Sequence, residues 1–195
     1  MFEILKEAEF TLIEKKSKFI CRIFKIENEE EAKKKIKSIV ELERGATHNC
    51  YAYRIYNKNG VIERKNDDGE PAGTAGNPML SVLSYENLIN LIAITTRYFG
   101  GIKLGASGLV NAYKKSVIET VKICGKKEFV IKDIYYLRFY INNVKIIDNL
   151  LKINDIEIIE RKFSGKEVEY IIKMPEVKID IFKNNQLFLE FKNIQ

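Results

Sequence analysis

The chain has one histidine in 195 residues, a scarcity that excludes a histidine-rich metal site. Its three cysteines, Cys21, Cys50 and Cys124, are scattered. No two have the spacing of a zinc site, and an odd number argues against a disulfide framework. Long apolar runs are missing as well. The longest, LINLIAI at 88–94, falls far short of a bilayer span. The first residues, MFEILKEAEF, lack the basic-then-apolar order of a signal peptide. The expected location is therefore the cytoplasm, with no membrane partner. Low-complexity and disordered stretches are also absent. What remains is 46% hydrophobic and 31% charged, the make-up of an ordinary folded chain. The last shortage is local: no acidic residue lies between Glu86 and Glu119, while Arg97, Lys103, Lys114 and Lys115 lie inside that window. The net charge of +6 permits contact with nucleic acid without requiring it.

Glycine is concentrated rather than scarce. TRYFGGIKLGASGLVNAY at 95–112 and DDGEPAGTAG at 67–76 together hold seven of the eleven glycines. Glycine costs backbone entropy, so clusters are kept where the chain turns oddly or approaches a ligand closely. In the 95–112 stretch a buried strand, a glycine loop and a helix follow one another. That is the usual cradle for an anion, because backbone N–H groups and the helix N-terminus point at it. Gly100 and Gly105 have the spacing that opens a phosphate-binding P-loop, but Ala106-Ser107 follow where that motif needs Lys then Ser or Thr. The simpler reading is a tight strand-to-helix connection. With Arg97 and Lys103 alongside, an anion-contacting surface is preferred, carried by Arg97, Gly100, Gly101, Lys103, Gly105, Ser107, Gly108 and Lys114.

The periodicities sketch the frame. Apolar runs at 8–13 and 18–26 flank a polar turn and predict a hairpin. Asn28 is placed to cap a helix with Ala32, Ile36, Ile39 and Val40 inward. Alternation over 49–66 predicts a second hairpin turning at Asn59-Gly60. A short helix near 75–84, a buried strand at 88–98 and a helix marked by Leu109, Tyr113, Val117 and Val121 complete the first part. A boundary is expected after Gly125, giving domains 1–125 and 126–195. The second part reads as a strand at 129–141, a helix capped by Asn142 or Asn143, a hairpin turning at Ser164-Gly165, a helix opened by Pro175 and a last strand. This is the βαββαβ order of ferredoxin-like domains. VKIDIF at 177–182 alternates like a strand, which makes that last helix ambiguous. The fold class is α+β.

Three further features could carry chemistry. Asp67, Asp68 and Glu70 could hold a divalent cation or act as acid and base. They could equally favour the positive end of the helix that follows, with Thr74 as its cap. His48 and Cys50 are two apart, so on one strand they would share a face; no third, orienting group is evident for a Cys–His pair. No catalytic residue, metal or cofactor is assigned.

ATHNCYAYRI, DDGEPAGTAGNPML and TRYFGGIKLGASGLVNAY resemble, in order and spacing, the signature segments of the YigZ/IMPACT family. Residues 126–195 resemble the C-terminal domain of its bacterial YigZ-type members. The resemblance implies an N-terminal ribosomal-protein-like β-α domain, like domain IV of elongation factor G, and a ferredoxin-like C-terminal domain. It implies contact with RNA or the ribosome and no settled activity for bacterial members; eukaryotic members regulate translation initiation. The expected function is thus a non-enzymatic, translation-linked regulator with RNA, the ribosome or a protein as partner. The rival is a Mg²⁺-dependent enzyme or binder of a phosphorylated small molecule or nucleotide. It requires the two glycine stretches to converge.

Overall fold

The computed structural model describes residues 1–57, 59–183 and 185–194. The chain is a mixed α and β protein that divides into two compact units, Met1–Phe129 and Val130–Gln195.

The first unit opens with β1 (Phe2–Ile4) and the hairpin of β2 (Ala8–Glu14) and β3 (Ser17–Lys25), then α1 (Glu29–Leu42). A second hairpin, β4 (His48–Asn57) and β5 (Gly60–Asn66), is followed by α2 (Gly76–Tyr85), β6 (Leu91–Tyr98), α3 (Gly105–Cys124) and β7 (Lys126–Glu128). Five strands form one antiparallel sheet in the order β2-β3-β6-β4-β5. The central β6, LIAITTRY, is buried on both faces, which is why it reads as a continuous apolar run rather than an alternation. Leu91 and Ala93 join Cys50 and Ala52 against α2 and α3. Ile92 and Ile94 join Tyr53 and Ile55 against α1.

Local chemistry explains most helix ends. The Asn28 side chain accepts from the Glu31 amide at 2.9 Å and caps α1. Ala32 and Ile39 face inward, but Val40 is 46% exposed, because it falls off the stripe that touches the sheet. The start of α2 is not capped by Thr74, whose hydroxyl donates to the Pro71 carbonyl. Asp67 performs that task from the loop before it, accepting from the amides of Gly73, Ala75 and Gly76 at 2.8, 3.0 and 2.7 Å. In the second hairpin Asn57 pairs with Gly60; the turn expected at Asn59-Gly60 adjoins residue 58, which lies outside the described residues. β7 lies past the boundary expected at 125/126 and pairs with β1 in the first unit.

The second unit runs β8 (Lys132–Tyr140), α4 (Val144–Ile153), β9 (Glu157–Ser164), β10 (Glu167–Pro175), α5 (Asp180–Lys183) and β11 (Phe188–Asn193). Its sheet has the order β11-β8-β10-β9, antiparallel throughout. Tyr135, Leu137 and Phe139 of β8 pack with Ile147, Leu151 and Phe182. Asn143 stands at the N-cap position of α4, but its amide donates to the Leu187 carbonyl instead. Pro175 closes β10 and leads into a 3-10 turn at Glu176–Lys178. The alternating VKIDIF stretch is helical, ending in the single turn of α5 that buries Phe182. No helix among the described residues is long and apolar enough to cross a membrane.

Candidate functional site

His48 on β4 and Arg97 on β6 are direct cross-strand partners, so both side chains stand on the sheet face covered by α2 and α3. Glu70, from the first glycine-rich loop, is brought between them. Its side chain is 2% exposed. Glu70 Oε1 accepts from Arg97 Nη1 at 2.6 Å and from the Tyr113 hydroxyl at 2.8 Å. The guanidinium lies between two rings, 5.4 Å from the centroid of Phe19 and 5.5 Å from that of Phe99. Its Nε is buried and has no hydrogen-bond partner among the described residues. A buried carboxylate–guanidinium pair of this kind costs desolvation, and its geometry and extra hydrogen bonds are what offset that cost.

His48 is oriented by the backbone. Its Nδ1 lies 2.7 Å from the Asp68 carbonyl oxygen. A carbonyl can only accept, so Nδ1 carries the proton and Nε2 is left 3.8 Å from Glu70 Oε2. The orienting group for His48 is thus a main-chain oxygen, which no side-chain pattern in the sequence could have announced. Cys50 does share that face. Its thiol lies 3.0 Å from the Asp67 carbonyl and 3.3 Å from the Tyr113 hydroxyl. Burial, reinforced by the carboxylates of Glu70, Asp68 and Asp67, pushes the thiol up to about 12. Cys50 is therefore a protonated packing residue rather than a nucleophile. Burial, then Cys50 and Glu70, likewise hold the Tyr113 phenol well above its usual range.

The two glycine-rich stretches meet. A cleft of about 460 Å³ is lined by Thr47, His48, Glu70 and Pro71 together with Arg97, Phe99, Lys103, Leu104, Gly105, Ala106 and Leu109. α3 opens into it. Among the described residues no side chain caps the helix start, and its first turn holds no acid. The free amides of that turn, with the positive end of a 20-residue helix, make a site suited to an anion. Gly105 supplies the backbone geometry: its φ is +76°, and a Cβ there would meet nothing within 4 Å.

The other candidates divide by role. Gly100 is a packing glycine: a Cβ there would sit 2.0 Å from the Lys16 carbonyl carbon, so the β2–β3 turn is pressed against the β6–α3 loop. Gly101 lies in open space at φ +83°. Gly108 faces a neighbouring groove, shared with Lys15 and Lys115. Ser107 and Lys114 are exposed on α3 and do not line the cleft. The acids that a Mg²⁺ reading would use are committed to protein donors. Asp67 caps α2, Glu70 holds Arg97 and Tyr113, and Asp68 Oδ2 accepts from the Asn49 amide at 2.6 Å. Among the described residues no group of three or more His, Cys, Asp and Glu side chains could hold a metal ion. Sequence reasoning missed Phe19 and Phe99 as the rings flanking Arg97, and it placed Tyr113 in a helical stripe without seeing that its hydroxyl reaches Glu70.

Residues 15–121 match the family described as the Impact N-terminal domain. The chain is 40% identical over 169 residues to the IMPACT family member YvyE of Bacillus subtilis strain 168, covering 87% of this chain and 74% of that protein. It is 32% identical over 171 residues to an IMPACT family member of Haemophilus influenzae, covering 87% and 82%. A crystal structure described as that of a hypothetical protein superposes with a TM-score of 0.71 at 29% identity, over 93% of this chain and 88% of that one. With the match across more than half of its length, and with these relatives, the chain belongs to the IMPACT family.

Proposed function

We propose that this protein is a non-enzymatic, cytoplasmic, translation-linked regulator that contacts RNA or the ribosome through the basic rim around the start of α3. The observation that carries this reading is the set of lysines there. Lys15, Lys16 and Lys103, with Lys114 and Lys115 further along α3, are exposed, and none makes an ion pair among the described residues. Lys15 and Lys16 are held next to the glycine loop by the close approach at Gly100, and Lys15 and Lys115 line one groove. Unpaired lysines beside free helix amides suit a phosphate backbone, which positions a protein without reading sequence. The second unit, by its βαββαβ order and its β11-β8-β10-β9 sheet, is read as ferredoxin-like.

The test is co-sedimentation with ribosomes across a salt series. The wild type is expected to pellet at low salt and to be released as salt rises. Lys103→Ala/Lys115→Ala, folded by circular dichroism, should bind more weakly with a shallower slope, by about 0.7 per lost contact on single strands. No pelleting at low salt, or an unchanged slope in the double variant, would sink the reading.

A further inference from the structure

The rim accounts for contact with phosphates, but it does not account for the cleft behind it. Much of the cleft wall is apolar: Pro71, Phe99, Leu104 and Leu109. Phe99 is 46% exposed although it is a large aromatic ring beside a guanidinium. The start of α3 and the exposed Lys103 border it. Arg97, 5% exposed, also lines it, with one buried N–H unpartnered among the described residues. His48, the cross-strand neighbour of Arg97, adds a further polar group to the lining. A site with an anion seat, an aromatic platform and few polar groups selects a ligand of matching build. It must carry one phosphate-like group and one flat apolar body. The volume of about 460 Å³ falls in the range of small-ligand sites.

We propose that the cleft takes a single unpaired nucleotide of RNA. Its phosphate sits on the first-turn amides of α3 beside Lys103, and its base lies on Phe99 against Leu104 and Leu109. This rests on the reading of the rim as an RNA contact and gives that contact a point of entry. Stacking tolerates every base, because each has a π face, so the cleft recognises unpaired strand rather than sequence. Arg97 is held in the cleft wall by Glu70 and two rings; its charge is paired with that carboxylate, and what it offers is the one N–H that remains unpartnered among the described residues.

The experiment titrates the full chain with adenosine 5′-monophosphate, inorganic phosphate, adenosine and a single-stranded RNA oligonucleotide, read by calorimetry and by amide NMR shifts at Gly105–Gly108. The monophosphate is expected to bind more tightly than phosphate or adenosine alone, and the oligonucleotide to compete with it. Phe99→Ala should weaken the monophosphate about tenfold while changing phosphate by less than about twofold, since stacking is lost and the anion seat is not. Ala106→Glu keeps the test independent of misfolding. A carboxylate in the first turn favours the helix, so its thermal midpoint should hold or rise while binding of both anions disappears. Monophosphate binding no tighter than phosphate, or unaffected by either variant, would overturn the proposal. So would monophosphate binding that RNA fails to displace, which would assign the cleft to a free nucleotide. Because ribosome pelleting by the wild type is a separate readout, absence of nucleotide binding with intact pelleting refutes the nucleotide site alone.

Discussion

Replacing Glu70 by alanine would leave the Arg97 guanidinium charged, 7% exposed at its side chain and without its carboxylate. The Tyr113 hydroxyl would lose its acceptor at the same time. Breaking a buried pair by removing one partner costs about 3–5 kcal/mol, and Glu70→Ala is expected to lose that much stability in urea. Arg97→Met should cost a comparable amount, because it strands the carboxylate. The double variant should lose less than the two single losses combined, with a coupling of about 1–3 kcal/mol. Additive losses would mean that the two side chains act separately, contrary to the 2.6 Å contact. Cys50 and His48 show the same thing at this scale: proximity in sequence put them on one face, but their neighbours assigned their chemistry. A carbonyl orients the imidazole, and burial keeps the thiol protonated.

Among the elements, α2 depends on Asp67, a residue nine positions ahead of its first. Burial raises the Asp67 carboxyl, but the amides of Gly73, Gly76 and Ala75 outweigh it and hold the carboxyl below the ordinary aspartate value of 3.8. A lowered folded value means that the unfolded chain binds the proton more readily. The stabilisation is therefore fully present above the ordinary value and is lost as pH falls through the lowered one. The thermal midpoint of the wild type should decline through that acid range. Asp67→Ala, which removes the acceptor for three amides, should be less stable near neutrality by about 1–2 kcal/mol and should show a flatter acid limb. An equally steep limb in the variant would assign the acid response to other carboxylates. Thr74 was the expected cap because its position fits one; Asp67 wins because an ionised carboxylate accepts several amides at once.

For the whole molecule, the first unit is closed by the pairing of its two ends. β1 pairs with β7, Phe2 opposite Glu128, and the Phe129 amide donates to the Met1 carbonyl. The Tyr56 and Phe129 rings are 5.0 Å apart. A fragment of residues 1–129 is expected to fold alone with one cooperative melt, since its core clusters lie within it. A fragment ending at 125 lacks the partner strand of β1 and should melt lower, with faster hydrogen exchange at Phe2–Ile4. Equal melting points would remove β7 from the account of this unit.

The sequence alone determined the strands and helices with strong period, the strand–glycine–helix order at 95–112 and the family resemblance. These rest on neighbours in the chain, on alternation, helical spacing and turn residues, and such signals are local. The helix at 176–183 was ambiguous for the same reason: VKIDIF alternates, and only the burial of Phe182 against β8 and β11 decides for helix. Only the tertiary structure decided that Glu70 and Gly105 border one cleft, that Arg97 is spent on Glu70, and that Gly100 exists to let Lys16 pass. Those facts depend on pairing His48 with Arg97 across two strands 49 positions apart. Register between distant strands is set by the burial of whole faces, and no stretch of sequence carries that information by itself.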